Sequence, residues 1–463
     1  MVLMQWFNDK IRPHMICGSS SSSCSNYLIH GDILKEILCR LPTDSLPLLK
    51  TVCRGWNSII SSRDFRNLHL NITIDRLPNR NISIHITIFM ISSIRTSHIF
   101  GIYSDQLRSS ERSRRKEITR RISLPGIDSK LKDHQEGGNY VRLLGSCDGL
   151  LIFDKGFYGM NKSRTCIRKN LKRIFVLNPI TRETRIIKYP QGCEGYVCDI
   201  FFDRFKHEHA LLHVSKTNNS LVLYHIFSFT ESAWRRIEIT TSITTTPLTT
   251  LEHVHRIVPP CMHACPPVIV DDALHWIVDD DYDAHESKSK IVVAFKIETN
   301  EIYHFPHPRR KGPSQQTSSL ASCGDLCSFK FMEIKEEKKQ LIEKNEKLCF
   351  CHIIFQSHEI HMWILEEYEA PSSWVKRFKV KLPYVSDGGC HSIRMWGSII
   401  LSFPHKDVIV VKWKHCKIYL YDLVTHKSTS IDDSPISTER CPDIPYRFIA
   451  FNQTLISPNI SYK

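Results

Sequence analysis

The apolar residues of the N-terminal region recur with the period of a helix. Ile33, Ile37 and Leu41 follow one another every fourth residue behind Asp32, which is a suitable helix cap. Pro42 then ends this helix, because a residue that precedes a proline is forced out of the α region. Two more helical stripes follow, and their members are Leu46, Leu49 and Cys53 in one and Val52, Trp56, Ile59 and Ile60 in the other. Three short helices within about forty residues carry more apolar surface than they can bury among themselves, so some of it must meet a partner in this chain or in another.

From Asn71 the period of the apolar residues changes to two. Ile72 and Ile74, and then the residues from Ile82 to Met90, alternate with mostly polar neighbours, which predicts strands. Beyond residue 140 a strand–turn–strand unit recurs, and its copies are Ile174–Ile187, Leu223–Ile237, Val292–Tyr303, Met362–Phe378 and Lys417–Thr429. A period of roughly fifty residues with insertions predicts the blades of a β-propeller, each a four-stranded meander. A pair of β-sandwiches is the structural alternative.

Two short turns and one charged stretch refine this pattern. Asp148-Gly149 stands between apolar runs, which is a strong hairpin signal, and Asp271-Asp272 occupies a similar position. Residues 329–347 are dense in Glu and Lys, and this composition predicts an exposed insertion or a short solvated helix.

The helical region resembles a plant-type F-box over its whole length, residues 27–70. The residues that carry the resemblance are Leu28, Asp32-Ile33, Glu36-Ile37-Leu38, Arg40-Leu41-Pro42, Ser45-Leu46, Val52-Cys53-Arg54, Trp56, Ile59-Ile60-Ser61, Phe65 and Leu68-His69-Leu70. The chain departs from the family at Ile29, where the family usually has a proline. A generic three-helix cap on a larger domain is the alternative to this interpretation.

The strand-rich region resembles the F-box-associated domain, of kelch-like or β-propeller type, that follows the F-box in many plant proteins. The motifs are Ser146-Cys147-Asp148-Gly149-Leu150-Leu151, Asn178-Pro179-Ile180-Thr181-Arg182, Ala273-Leu274-His275-Trp276 and the hairpin from Trp363 to Trp374. The chain is therefore expected to contain a small all-α module and a large all-β domain. The predicted divisions are a flexible lead-in at 1–26, the F-box at 27–70, a connector at 71–139, a propeller at 140–430 and a closing segment at 431–463.

The resemblance implies the substrate-recognition subunit of a Skp–cullin–F-box ubiquitin ligase. The F-box would bind a Skp-type adaptor and through it a cullin, while the β domain would recruit a protein target for ubiquitination and degradation. It implies no catalytic residue in this chain. The adaptor-binding residues that it selects are Leu28, Ile33, Ile37, Leu41, Pro42, Leu46, Val52, Cys53 and Trp56. Internal packing is expected instead for Leu38, Leu49, Ile59 and Ile60.

Composition places the protein inside the cell. Its 463 residues suffice for one small and one large domain, and its hydrophobic (41%) and charged (24%) fractions are those of globular proteins. The 17 cysteines are an odd number without a framework spacing, which indicates a reducing compartment. The N-terminus lacks the apolar core of a signal peptide, and no stretch reaches the roughly eighteen apolar residues of a spanning helix. We expect an intracellular protein of the nucleus, the cytoplasm or both, with no membrane partner.

The net charge of +14 leaves a second hypothesis open, a basic nuclear protein without a ligase role. Its nucleic-acid contact would be the basic run at 108–121. That run has no interleaved aromatic residues to stack on bases, so nucleic acid is not the expected partner.

Motifs for chemistry are sparse. His253, His255, Cys261, His263 and Cys265 are metal-ligand types, but prolines frame them as a loop and the paired spacing of zinc modules is missing. There is no Gly-x-Ser-x-Gly elbow, phosphate loop or dinucleotide fingerprint. We expect neither a metal nor a cofactor. An enzyme, the third hypothesis, would require a pocket of convergent polar groups at the propeller mouth.

Overall fold

A small helical unit precedes a large all-β domain, which confirms the fold class predicted from the sequence. The computed structural model describes residues 31–75, 85–103, 137–160, 166–241, 267–279, 290–308, 337–382, 399–431 and 447–459, apart from short gaps within these ranges. Within these ranges, no helix is both long enough and apolar enough to cross a membrane.

The helical unit consists of α1 (Gly31–Cys39), α2 (Leu46–Leu49), α3 (Arg54–Ser61) and α4 (Arg63–Asp75). Side chains cap two of the helices: Cys53 Sγ accepts a hydrogen bond from the Trp56 amide, 3.5 Å away, and Ser62 Oγ accepts one from the Phe65 amide at 3.2 Å. The buried side chains that pack together are Leu38, Leu46, Leu49, Trp56, Ile60 and Phe65. One stripe from each helix therefore faces a common core.

The strand predicted from Asn71 is wrong for its first five residues, because α4 continues to Asp75. Ile72 follows Phe65 and Leu68 at helical spacing and packs against the same core, so tertiary contact favours the helix. Two alternating isoleucines are too short a pattern to specify a strand against that packing.

The described residues of the β domain form six sheets. In chain order they are β1 (His85–Ile91), β2 (Ser97–Tyr103), β3 (Gly137–Cys147), β4 (Leu150–Met160), β5 (Cys166–Leu177), β6 (Thr184–Lys188), β7 (Gly195–Asp203), β8 (Glu208–Lys216), β9 (Val222–Ser228), β10 (Ala233–Ile237), β11 (Thr240–Thr241), β12 (Val268–Val270), β13 (Ala273–Asp279), β14 (Lys290–Lys296), β15 (Glu301–Pro306), β16 (Glu337–Lys344), β17 (Lys347–Ile354), β18 (Glu359–Leu365), β19 (Trp374–Lys381), β20 (Ile399–Ser402), β21 (Val408–Trp413), β22 (Lys417–Asp422), β23 (Ser428–Ile431) and β24 (Arg447–Phe451).

Five of the sheets are antiparallel meanders of four consecutive strands, which we call blades 1 to 5. They begin at β3, β7, β12, β16 and β20, and β11 adds a short parallel strand to the outer edge of blade 3. The five predicted hairpin units are the third and fourth strands of these five blades, so the repeat read from the sequence is confirmed.

Tight turns join the first and second strands of several blades. Asp148 and Gly149 both have positive φ (46° and 78°), and so do Asp271 and Asp272 (51° and 53°). Positive φ at both central residues is the geometry of a type I′ turn, whose twist matches that of the flanking strands. Both predicted hairpins are confirmed.

The expectation for residues 329–347 is wrong at Glu337–Lys344, which is strand β16 rather than a helix or an exposed insertion. Gln340, Leu341 and Ile342 are buried there, and β16 pairs along its whole length with β17. The many charged residues around this segment made its buried part difficult to recognise in the sequence. Lys344 is also buried, and its Nζ lies 3.4 Å from an Asp407 carboxylate oxygen.

The sixth sheet joins distant parts of the chain in the order β2-β1-β24. Here β1 pairs antiparallel with β24, placing Ile86 opposite Ala450, and β24 lies against both β20 and β3. Blades 1 to 5 and this sheet thus follow one another around a closed ring, as in a β-propeller. The ring draws strands from the predicted connector and closing segment as well as from the predicted propeller range.

Blade 2 buries a pair of histidines inside its core. His213 and His225 lie opposite each other on β8 and β9, and the His213 ring also contacts Tyr189 and Trp234. Burial, and secondarily the neighbouring His225, lowers the pKa of His213 from 6.5 to about 3. His213 is therefore neutral in the folded protein at neutral pH.

The stability of the protein should fall as the pH drops from about 6.5 to about 3, because in this range His213 is protonated in the unfolded chain but neutral in the folded chain. This group alone contributes a slope of about 1.4 kcal/mol per pH unit within that window and none above it. His213→Leu should reduce the slope of the unfolding free energy, measured by urea titration at several pH values, by that amount. His426→Leu, at an exposed turn, is the control, and equal slopes in wild type and His213→Leu would contradict the assignment.

Candidate functional site

The helical unit exposes three large apolar side chains. Ile33 and Ile37, one turn apart on α1, are 57% and 47% exposed, and Leu48 on α2 is 60% exposed. Leu38, Leu46 and Leu49 of the same helices are buried, whereas no described part of the chain covers the three exposed side chains. Neighbouring exposed apolar side chains, such as Ile33 and Ile37, are a candidate binding surface, whereas singly exposed ones are common in soluble proteins.

The residues predicted to bind an adaptor fall into four groups. Ile33, Ile37 and Cys53 are exposed, and Leu41 and Val52 are half-buried against the helical core. Leu46 and Trp56 are buried inside that core, so they support the surface from beneath. Leu28 and Pro42 lie outside the described residues. The sequence prediction of adaptor-binding residues did not include Leu48, although Leu48 precedes Val52 by four residues, which is helical spacing.

The opposite side of the helical unit packs on the propeller. Leu455, near the end of the described chain, is buried in the helical core, and Ile180, in the turn between β5 and β6, packs against it. The sequence predicted more apolar surface than the helices can bury among themselves. Part of that surface packs on the propeller, and part of it is exposed. The neighbouring Ile456 faces the other way and belongs to the core shared by blades 1 and 2.

Residues 454–458, which we call the C-terminal strap, are held by the side chain of Asn178. Its Nδ2 donates hydrogen bonds to the carbonyl oxygens of Thr454 and Ile456, at 3.0 and 2.7 Å. Its Oδ1 accepts from the amides of Ile180 and Thr181, at 2.8 and 3.2 Å. One buried amide therefore fixes both the strap and the turn that contact the helices.

A charged contact crosses the same junction. Arg66 on α4 is buried, and its Nη2 lies 3.6 Å from Glu183 Oε1 at the start of β6. Burial, then the charge of Arg66, lowers the pKa of Lys50, and Glu183 opposes this shift. Glu183 thus faces two cations of the helical unit, which favours one docking position over others.

The junction lies on a definite face of the ring. In each meander the turns between strands one and two and between strands three and four meet at one edge, because consecutive strands run in opposite directions. The amide of Phe229 bonds to the carbonyl of His209, and that of Ile297 to Asp272, across such pairs of turns. We call this the near face. Target recognition is expected from loops at 154–172, 240–266 and 304–330; of these, 154–160 and 166–172 are strand, and most of the other two ranges lie outside the described residues. The described strand ends that flank these ranges lie on the opposite, far face.

Two family models match the chain in this arrangement. The F-box domain matches residues 31–68, which contain the helical core, and the F-box associated beta propeller domain matches residues 101–434. The second match spans more than half of the chain. The chain belongs to the F-box-associated β-propeller family. The kelch-like character expected from the sequence is not confirmed.

Proteins of Arabidopsis thaliana that are named as F-box proteins are similar to the chain. The chain is 28% identical over 214 residues to Probable F-box protein At5g47300, an alignment that covers 45% of this chain and 43% of that protein. It is 20% identical over 436 residues to F-box only protein 9, covering 92% and 94%. In the first of these matches, the chain spans less than half the length of its relative.

Solved propellers resemble the chain more distantly. The β-propeller domain of Cps50 (Swd1) from a Myceliophthora fungus matches 76% of this chain and 87% of its own length, with 8% identity and a TM-score of 0.34. At that score the likeness carries no argument about function.

Asn178→Ala should destabilise the protein by about 2–4 kcal/mol, because it leaves two buried strap carbonyls without their donor and removes the acceptor of the turn. The measurement is urea unfolding combined with hydrogen exchange of the helices. Asp422→Ala is the matched control: its Oδ1 accepts from the amides of Val424 and Thr425 in the same kind of turn, so about 1 kcal/mol is expected. Equal losses in the two variants would show that the strap contacts add nothing.

Proposed function

We propose that this protein is the substrate-recognition subunit of a Skp–cullin–F-box ubiquitin ligase. The observation that carries the proposal is the exposure of Ile33, Ile37 and Leu48 on a helical unit whose other side is occupied by the propeller. Burying such side chains against a partner is favourable by roughly 25 cal/mol per Å² of apolar surface. The F-box match supports a Skp-type adaptor as that partner, and a cullin through it.

The mechanism assigned to the chain is positional, and the chain acts as a non-catalytic adaptor. Binding a target beside a ubiquitin-charged enzyme raises the effective concentration of the target's lysine side chains. A helical unit that is anchored by Leu455, Asn178 and Arg66 keeps the adaptor and the target at a constant separation. Rigidity of this kind reduces the orientational freedom that would otherwise lower the effective concentration.

The far face of the propeller is the proposed site for the target protein. The near face is occupied over blade 1 by the helical unit and the strap. Loops on the far face connect the blades and can vary in sequence without disturbing the ring, which suits them for recognition. This assignment keeps the target and the adaptor on opposite faces.

An intracellular location, nuclear or cytoplasmic, accords with this role. The 17 cysteines, an odd number without a framework spacing, support a reducing compartment. The alternative of nucleic-acid binding depends on residues 108–121, which lie outside the described residues, and no contact in the described part of the chain favours it.

Ile37→Asp combined with Leu48→Asp should weaken binding to a Skp-type adaptor at least tenfold, about 1.4 kcal/mol, because each variant places a charge in an apolar contact. Both residues are exposed, so the fold should be unaffected, which circular dichroism would verify. Affinity is measured by calorimetry with the purified full chain. Val424→Asp, at a 67% exposed valine in blade 5, is the matched control. Undiminished affinity in the double variant would refute the assignment of this surface.

A further inference from the structure

Three side chains that can bind a metal meet on the near face, where blade 1 adjoins blade 2. Cys147 ends β3, Asp148 begins the turn that follows, and His209 lies near the start of β8. His209 Nε2 is 3.2 Å from Asp148 Oδ2, and Cys147 Sγ is 3.6 Å from the same oxygen. All three ligand atoms lie within 4.8 Å of one another.

The fold holds these side chains in place. The type I′ turn fixes Asp148 at a φ of 46°, so its carboxylate projects toward blade 2 where His209 stands. The His209 ring is fully buried, with edge contacts to Phe202 and Phe229 at centroid distances of 5.1 and 6.2 Å. The site is therefore pre-formed rather than assembled from mobile groups, which is a condition for tight metal binding.

Negative charge accumulates around this cluster. Asp199 on β7 approaches β3 so closely that a Cβ on Gly145 would lie only 1.6 Å from its Oδ1. Asp148 Oδ2 lies 3.6 Å from Cys147 Sγ, and Asp199 lies against Gly145, two residues before Cys147. Two carboxylates near a thiol are stabilised by a cation; the His209 ring contacts Asp148, and the mostly exposed Arg204 pairs with Asp272.

The distances suit zinc. Bond lengths of about 2.3 Å to sulfur and about 2.0 Å to nitrogen and oxygen give tetrahedron edges of roughly 3.5 Å for S–O and roughly 3.3 Å for N–O. The observed S–O and N–O separations, 3.6 and 3.2 Å, match these two edges, and Cys147 Sγ and His209 Nε2 lie within 4.8 Å of each other. A thiolate, an imidazole and a carboxylate together favour zinc over magnesium or calcium, which prefer oxygen ligands alone.

We propose that Cys147 Sγ, Asp148 Oδ2 and His209 Nε2 form a zinc site that joins blade 1 to blade 2. Water would complete the tetrahedron, since Cys147 and Asp148 are only partly buried. On binding, the Cys147 thiol releases its proton to solvent, and the neutral His209 ring carries its remaining proton on Nδ1. Thr454 Oγ1 donates a hydrogen bond to the Asp148 carbonyl at 2.5 Å, so the site also lies beneath the C-terminal strap. The proposed site joins two blades and is independent of the ligase assignment.

The sequence alone could not predict this site, because His209 is 61 residues from Asp148 and metal-ligand motifs are recognised only between residues close in sequence. Cys349 and Cys351, two residues apart in the sequence, have sulfurs 4.0 Å apart inside the core of blades 4 and 5. The cluster between His253 and Cys265 lies outside the described residues.

Zinc binding by the full chain tests the proposal. After treatment with a chelator, wild type should bind one more tight equivalent of zinc in calorimetry than Cys147→Ser, and its melting temperature should rise with zinc but not with magnesium. Cobalt in place of zinc should give a thiolate charge-transfer band that Cys147→Ser lacks. Since the chain has 17 cysteines, Cys198→Ala is the matched control, a buried cysteine of β7 outside the cluster that should keep both the band and the equivalent.

His209→Gln separates coordination from folding. Without zinc it should melt within a few degrees of the stripped wild type, and with zinc it should not be stabilised. If it fails to fold, the comparison between Cys147→Ser and Cys198→Ala still decides the matter. Equal zinc stoichiometry and equal cobalt spectra in those two variants would overturn the proposal.

Discussion

The pairing of β1 with β24 is the constraint on which the rest of the molecule depends. It closes the ring between blade 5 and blade 1 and brings the last described strand beside the first. The strap follows β24 within a few residues, so this pairing also delivers Leu455 to the helical core and two carbonyls to Asn178. Closure of the propeller and anchoring of the helices are consequences of one contact between distant segments.

Local patterns predicted most of the regular structure. The five hairpin repeats and the two tight turns follow from alternation and turn chemistry, which act over a few residues. The expectation that Leu38 and Ile60 pack internally is confirmed. Where prediction failed, the deciding contact was not local: packing of Ile72 extended α4, and pairing with β17 made a strand of the charged Glu337–Lys344 segment.

The candidate sites differ in the same way. The number of apolar stripes predicted that some apolar surface of the helices would stay uncovered, and the family resemblance selected Ile33 and Ile37, which are exposed. The burial of Leu46 and Trp56 could not be predicted, because the spacing of apolar residues on a helix does not show which of them face the core. The meeting of Cys147 with His209 depends on the packing of two blades, for which neighbouring residues along the chain hold no information.

The junction also sets an order of events during synthesis. A ribosome makes chains from the N-terminus, and domains tend to fold as they emerge. The helical unit, however, emerges long before Leu455, its last packing partner, and before the strand that closes the ring. Until those residues are made, the helices keep an uncovered inner side in addition to the outer one. A chain that stops short of β24 therefore lacks both a closed ring and a complete helical core. This late segment is needed to complete the folding of the propeller and of the helical unit.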